Sequence, residues 1–228
     1  TTDVAEVYPD RRTVKVIAGD THAGKWVREQ NRLDYDRSVE DVLQHINPGD
    51  VVIDAGANIG AYTVRMAEKV GPHGVVIAFE PMPETFECLK YNCREHVQAI
   101  VLNQAVSNCH HVVSMTSHEN VGMSHISDVN ERGVSIDAVS IDSLALGKCN
   151  FIKMDVEGFE PLAIMGAMET IRKFRPKMFV ELNDVALSRY GFTKNDILNP
   201  LLAIGYKIQF LEAKHNLDMP QVDVFLMP

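Results

Sequence analysis

The stretch VVIDAGANIG, from Val51 to Gly60, decides the fold class. It begins with a short apolar run, closes that run with the acidic Asp54 and continues into a turn that contains two glycines. A short apolar run bounded by turn residues is typical of a buried strand in a parallel sheet. Tyr62 to Val70 follows with helical spacing of its apolar residues. The stretch therefore predicts a strand, a glycine turn and a helix in succession.

The same alternation continues along the chain. Val75 to Phe79 reads as a second strand, again closed by an acidic residue, Glu80. Strands that alternate with helices of about 10 to 15 residues predict βαβ units and a mostly parallel sheet. The other predicted strands are Ala99 to Leu102, Phe151 to Met154, Lys177 to Val180, Tyr206 to Leu211 and Val222 to Met227, and the other predicted helices begin at Ser38 or span Pro83 to His96, Pro161 to Phe174 and Asn195 to Ile204.

Composition narrows the class of protein. The chain has 228 residues, of which 46% are hydrophobic, enough for a full core. Its net charge of −9 repels phosphate backbones and anionic lipids, so a nucleic-acid partner and membrane insertion are not expected. Four cysteines without a CxxC pair predict free thiols in the cytoplasm. The sequence begins at Thr1 rather than at a methionine, which leaves open a processed chain or a domain of a larger polypeptide.

Domain organisation follows from the absence of repeats and of linkers rich in Pro, Gly or Ser. We predict one domain, residues 1–228, with a core over 38–228. Residues 1–37 carry polar and aromatic groups, including the single tryptophan, and form either a lid over the ligand or a helix packed on the sheet edge. Residues 110–141 interrupt the βα rhythm and predict a β excursion at the sheet edge or a second lid.

The glycine turn predicts a ligand site at the carboxyl ends of the strands. Gly56 and Gly60 would let the backbone approach a ligand, and the following helix offers unpaired N–H groups. A dinucleotide fingerprint requires GxGxxG, but Asn58 stands where its middle glycine belongs, and Asp54 would face incoming phosphates. A carboxylate in this place suits a cationic ligand without phosphate, such as S-adenosylmethionine.

Each part of that ligand has a predicted contact. Asp54 and Asn58 would hold the methionyl end, and the Glu80 carboxylate would accept hydrogen bonds from both ribose hydroxyls. Phe79, Pro81 and Met82 beside it would form an apolar wall for the adenine. Gln104, just past the third strand, would meet its polar edge.

Three separated motifs resemble the FkbM methyltransferase family: Val52 to Gly60, then Ala78 to Pro81, then Ile152 to Glu160 followed by Gly166-Ala167. This resemblance implies an α/β, Rossmann-like class I methyltransferase fold, a seven-stranded mostly parallel sheet with helices on both faces. It also implies S-adenosylmethionine as the cofactor and a hydroxyl of a sugar or natural product as the acceptor. The likeness extends over roughly Pro48 to Leu182.

Charged residues alternate at the end of the fourth predicted strand, where Lys153, Asp155 and Glu157 share one face by period-two spacing. A buried lysine needs a carboxylate partner, and we expect Glu181, at the end of the next strand, to be that partner. Asp155 is the first candidate for the base that takes the acceptor's proton, with Glu157 next to it and His125 as a second candidate. A purely structural ion-pair network is the alternative.

Metal chemistry is not predicted. Asp155, Glu157, Glu181 and Asp184 are hard oxygen ligands that a divalent cation could use, but their spacing does not require one. The nine histidines form no HxxxH or HExxH pattern, so no zinc site is expected.

These observations predict an S-adenosylmethionine-dependent O-methyltransferase that acts on a hydroxyl of a sugar, glycan or glycosylated small molecule. Three alternatives stay open. Lys153, Asp155 and Glu181 imitate part of the residue set of RNA 2′-O-methyltransferases, although the acidic balance argues against RNA. The domain could also bind S-adenosylmethionine without catalysis, or be an NAD-dependent oxidoreductase.

Overall fold

The computed structural model describes residues 1–7, 12–21, 23–33, 38–116, 125–127 and 133–228. Its strands are β1 (Thr2–Val7), β2 (Arg12–Ile17), β3 (Val51–Ala55), β4 (Val75–Phe79), β5 (Ala99–Leu102), β6 (Ala105–Val106), β7 (His111–Thr116), β8 (His125–Ser127), β9 (Val134–Val139), β10 (Phe151–Met154), β11 (Lys177–Asn183), β12 (Lys207–Phe210) and β13 (Gln221–Met227). Its helices are α1 (Ala23–Gln30), α2 (Ser38–Leu43), α3 (Ala61–Val70), α4 (Pro83–Asn92), α5 (Glu160–Met165), α6 (Met168–Phe174), α7 (Asp184–Ser188) and α8 (Lys194–Ala203), with 3-10 turns at Gly71–His73 and Ile141–Leu144.

The main sheet has seven strands in the order β12-β13-β11-β10-β3-β4-β5. The five strands from β11 to β5 are parallel, and β13 runs antiparallel to both β11 and β12. Because β3 and β10 are central and buried on both faces, they are apolar along most of their length. The predicted mostly parallel α/β sheet is confirmed, and β5 and β10 have the predicted bounds.

The helix predicted over Pro161 to Phe174 is wrong in one respect, because the chain breaks it into α5 and α6. A Cβ on Gly166, between them, would lie 2.1 Å from the Ser107 carbonyl oxygen. The Asp142 carboxylate then accepts hydrogen bonds from the backbone N–H groups of Glu169 and Thr170 and satisfies the first turn of α6. The break therefore comes from packing against a distant segment rather than from the local sequence.

The predicted β excursion forms a second sheet of four strands in the order β6-β9-β7-β8. One face of this second sheet is apolar and buried. Met82, which lies between β4 and α4, packs into that face with Val113, Met115, Ile136 and Ala138. His125 lies in β8.

The N-terminal residues form a β1-β2 hairpin, which the sequence did not predict, followed by α1. Val14, Val16 and Val27 are buried in one cluster with Leu89 of α4 and with Cys93, the residue that follows this helix. In the described residues this segment therefore packs against α4. His22 and Tyr35, two of the polar and aromatic residues in the segment 1–37, lie outside the described residues. Among the helices that the structure describes, none has the length and apolar character needed to span a membrane.

Candidate active site

Acidic side chains meet where β3, β4 and β10 end side by side. The register places Asp54 of β3 opposite Lys153 of β10 and opposite Ala78 of β4. The carbonyl of Phe79, the last residue of β4, accepts hydrogen bonds from the backbone N–H groups of Gly56 and Ala57. The loop after β3 is thus fastened to the end of β4, directly before Glu80.

Glu80 is buried and organises this edge of the sheet. Its Oε2 accepts from the Asn58 N–H at 2.9 Å, and its Oε1 accepts from the Met82 N–H at 2.9 Å. Each carboxylate oxygen has a second lone pair, so both can still accept from a ligand. Burial raises the pKa of Glu80 to about 7 against the opposing effect of these two hydrogen bonds.

The loop between β3 and α3 contains three other predicted cofactor residues, Gly56, Asn58 and Gly60. Asn58 has a left-handed φ of 51°, and its side-chain Oδ1 is buried without a hydrogen-bond partner. Buried acceptors normally have a donor, so this atom is available to a ligand donor such as an ammonium group. Asn58 and Glu80 together offer acceptors for the cationic, diol-bearing ligand predicted from the sequence.

At Gly56 and Gly60 the structure leaves no room for a side chain because other parts of the protein lie close to them, whereas the predicted reason was the approach of a ligand. A Cβ on Gly56 would lie 1.7 Å from the Asp155 carbonyl oxygen, and a Cβ on Gly60 would lie 3.0 Å from Leu89 Cδ1. Both residues also have positive φ values, 81° and 96°. The close approach that they permit is therefore to the protein itself, between the β3 and β10 loops and between the turn and α4.

Asp54 is fully buried, and its side chain is directed at protein groups. Its Oδ2 accepts from Thr63 Oγ1 at 2.6 Å, and its Oδ1 lies 3.6 Å from Lys153 Nζ without a hydrogen bond. Burial raises the pKa of Asp54, while the nearby Lys153 ammonium lowers it. Asp54 thus anchors the lysine and the start of α3, a role that the sequence analysis did not assign to it.

Lys153 joins the cofactor side of the site to the predicted catalytic side. Its Nζ donates to the Gly56 carbonyl at 3.0 Å and to Asp155 Oδ2 at 3.4 Å, and it lies 5.0 Å from the centre of the Tyr62 ring. The ion pairs that the structure gives it are with Asp54 and Asp155. The predicted pairing with Glu181 is not among these contacts, and Glu181 accepts a hydrogen bond from Gln221 instead.

The loop after β10 holds Asp155 and Glu157. Glu157 has a left-handed φ of 56°, and the next residue, Gly158, has φ 101°. Glu160 holds this shape, because its two carboxylate oxygens accept from the N–H groups of Val156 and Gly158 at 2.8 and 3.0 Å. Glu160 is buried, and its burial raises its pKa to about 7.

Carboxylates crowd this side of the site. Burial and the neighbouring Asp155 and Glu160 raise the pKa of Glu157 to about 8. Burial and the same group of carboxylates raise the pKa of Glu181 to about 9. Groups with raised pKa values in a crevice are candidates for proton transfer at neutral pH. Among the described residues no group of three or more His, Cys, Asp or Glu side chains is arranged to hold a metal ion.

Four further predicted residues remain: Met82, Pro81, Gln104 and His125. Met82 is 7% exposed because it packs into the second sheet, which leaves little of it for an adenine wall. Pro81 and Gln104 are half-buried at the end of β4 and just past β5. His125 is in β8, and the structure describes only its backbone.

Two positioning residues escaped the sequence analysis. Asn103 donates from Nδ2 to the carbonyls of Glu80 and Pro81 at 2.9 and 2.8 Å and so fixes the loop after β4. Glu160 was quoted only as part of a motif. The signal for Asn103 was its place directly after a strand next to Gln104, where a polar side chain can bind the neighbouring loop.

Comparison with known proteins identifies a family. The sequence profile of the methyltransferase FkbM domain matches residues 54–208, more than half of the chain. "Methyltransferase 1" of Beauveria bassiana is 42% identical over 45 residues, which are 20% of this chain and 18% of that protein.

Solved structures agree on the fold. The FkbM methyltransferase of Methylobacillus flagellatus superposes with a TM-score of 0.55 at 18% identity, over 82% of this chain and 50% of that one. An rRNA methylase of Streptococcus thermophilus superposes with a TM-score of 0.50 at 11% identity, over 83% of this chain and 93% of that one. The chain spans half of the FkbM structure and a smaller part of the Beauveria protein. The fold is that of class I methyltransferases, and the cofactor of that class is S-adenosylmethionine.

Proposed function

The chain belongs to the FkbM methyltransferase family, and from that premise we propose that it is an O-methyltransferase acting on a hydroxyl of a sugar, glycan or glycosylated small molecule. The observation that carries the proposal is the geometry of Glu80. This buried carboxylate is held by two backbone N–H groups, and each oxygen keeps a lone pair at the carboxyl end of β4. A vicinal diol such as that of ribose fits two such acceptors.

The cofactor residues follow from the same edge of the sheet. Glu80 would bind the ribose, and the free Oδ1 of Asn58 would accept from the methionyl ammonium group. Pro81 and Gln104 would flank the adenine. Asp54, with its side chain turned to Thr63 and Lys153, would act through the lysine rather than by direct contact. When bound, S-adenosylmethionine supplies a methyl group on a positively charged sulfur.

The chain's own chemical task is to take a proton from the acceptor hydroxyl. Asp155 is the first candidate because its carboxylate is the outermost group of the chain Asp54–Lys153–Asp155 and is 39% exposed. The Lys153 ammonium, 3.4 Å from Asp155 Oδ2, would orient that carboxylate. Glu157 on the adjoining loop is the next candidate. A positioned base contributes about 10² to 10⁴-fold to the rate.

The acceptor class rests on charge. Asp155 has two carboxyl groups near it, Glu157 and Glu181, whose pKa values are raised first by burial and then by neighbouring carboxylates. The net charge of −9 opposes a polyanionic acceptor at long range. Neutral hydroxyl compounds avoid this cost. A cytoplasmic location is part of the proposal, supported by the four unpaired cysteines.

The experiment is a methyl-release assay in which S-adenosylhomocysteine is measured with panels of neutral glycans, glycosylated small molecules and structured RNA. We expect activity with at least one neutral hydroxyl acceptor and its loss by about 10²-fold or more in Asp155→Asn or Glu157→Gln, with unchanged cofactor affinity. Activity confined to RNA would replace the acceptor class. Methyl transfer untouched by both substitutions would refute the assignment of the base.

A further inference from the structure

The N-terminal hairpin is fastened to the end of α4 and to the residues just after it by polar contacts from Tyr91, Asn92 and Arg94. Tyr91 Oη lies 3.1 Å from Thr13 Oγ1, and Arg94 donates to the same hydroxyl and to the Thr13 carbonyl. Between them, the Asn92 side chain binds the backbone of Lys15. All three side chains join β2 to this end of α4, and Asn92 makes one further contact.

Asn92 also binds the glycine turn, through the carbonyl of Ile59. Its Oδ1 accepts from the Lys15 N–H at 2.7 Å, and its Nδ2 donates to the Lys15 carbonyl at 3.0 Å and to the Ile59 carbonyl at 2.7 Å. Asn92 is 4% exposed, so none of these groups has water as a ready substitute. Loss of the amide would leave the Ile59 carbonyl buried without its partner.

Ile59 is the residue after Asn58 in the glycine turn. On its other side the turn is held by Glu80, which accepts from the Asn58 N–H. Two side chains from different elements therefore grip consecutive residues of one loop, Glu80 from the end of β4 and Asn92 from the end of α4. Asn58 has a left-handed backbone, a conformation that costs energy unless its surroundings enforce it.

We infer that Asn92 is a positioning residue for the cofactor site, which holds the Asn58–Gly60 turn in its binding conformation and ties that turn to the N-terminal hairpin. The inference rests on the proposed function, because it assigns the turn to S-adenosylmethionine. It gives β2 a part in cofactor affinity, although none of the contacts above brings this strand to the ligand itself.

The test compares two neighbouring residues on the full chain. Asn92→Ala removes the bonds to both the hairpin and the turn, whereas Asn92→Asp keeps an acceptor for the Lys15 N–H and loses both donors. Tyr91→Phe is the matched control, since it removes a hydrogen bond to the same hairpin from the adjacent residue without a contact to the turn. Calorimetry with S-adenosylhomocysteine gives the affinity, and thermal unfolding gives the stability of each variant.

We expect both Asn92 variants to weaken S-adenosylhomocysteine binding about tenfold, the effect of one buried hydrogen bond, and Tyr91→Phe to change it less than twofold. The KM for S-adenosylmethionine should rise with kcat little changed in both Asn92 variants. Amide hydrogen exchange at Asn58 to Gly60 should become faster in Asn92→Asp but not in Tyr91→Phe. If the wild-type protein and both Asn92 variants bind S-adenosylhomocysteine with the same affinity, the positioning role of Asn92 is refuted while the proposed function stands. A folded wild-type protein that binds no S-adenosylhomocysteine would overturn both.

Discussion

Replacement of Gly56 by alanine should be among the most damaging small substitutions in this protein. The new Cβ would lie 1.7 Å from the Asp155 carbonyl oxygen, whereas real Cβ atoms essentially never come closer than 3.0 Å, so the loops after β3 and β10 must separate by about 1.3 Å or more. The φ of 81° adds the strain of a left-handed alanine. Both the glycine turn, which we propose binds the cofactor, and the predicted base lie on these loops.

Gly49 is a matched control for the conformational part of this cost. Its φ of 82° is nearly that of Gly56, but nothing lies within 4 Å of a Cβ placed on it. Alanine at Gly49 should cost about 1 kcal/mol, the left-handed strain less the entropy gained by restricting the unfolded chain. At Gly56 the overpacking of about 1 to 3 kcal/mol comes on top, for a total near 3 kcal/mol.

Urea unfolding of the wild-type protein and the two variants measures both costs. Gly56→Ala should also weaken S-adenosylhomocysteine binding, whereas Gly49→Ala should not. Equal destabilisation by the two substitutions would show that the loops of β3 and β10 do not approach as the structure has them, and the argument from close contact would be refuted.

Three further predictions concern the buried charges. The affinity for S-adenosylhomocysteine should fall as the pH is lowered through about 7, because protonation of Glu80 removes an acceptor from the diol, and Glu80→Gln should flatten that dependence in calorimetric titrations. Glu160→Gln should lower the pKa of Glu157 from about 8 by removing a nearby carboxylate, as an NMR titration would detect, and an unchanged value would contradict the crowding. Lys153→Met should destabilise the protein by about 3 kcal/mol because it leaves Asp54 uncompensated, and Asp54→Asn in the same chain should restore part of that loss in urea unfolding.

The elements of the main sheet were predictable from local sequence. Short apolar runs between turn residues defined β4 and β10 to the residue, because a strand that is buried on both faces consists mostly of apolar residues. The break between α5 and α6 was not predictable, since Gly166 is required by the distant Ser107 backbone. The antiparallel pair of β1 and β2 was not predicted from the sequence.

The site was predictable in its location and less so in its contacts. Acidic residues at the ends of neighbouring parallel strands had to lie at one edge of the sheet, and Asp54 and Glu80 do. The contacts of Lys153 depend on sheet order, because β10 lies between β3 and β11 and has a carboxylate on either side. Asn92 gave no local signal at all, since its three hydrogen bonds go to Lys15 and Ile59, which are 77 and 33 residues away in the chain.

Calorimetric titration of the intact chain with S-adenosylhomocysteine, beside a parallel titration with a reduced pyridine dinucleotide, tests the central claim most directly. The account predicts saturable binding of S-adenosylhomocysteine that Glu80→Ala abolishes in a folded protein, and no heat from the dinucleotide. A folded chain that ignores S-adenosylhomocysteine and binds the dinucleotide would contradict it.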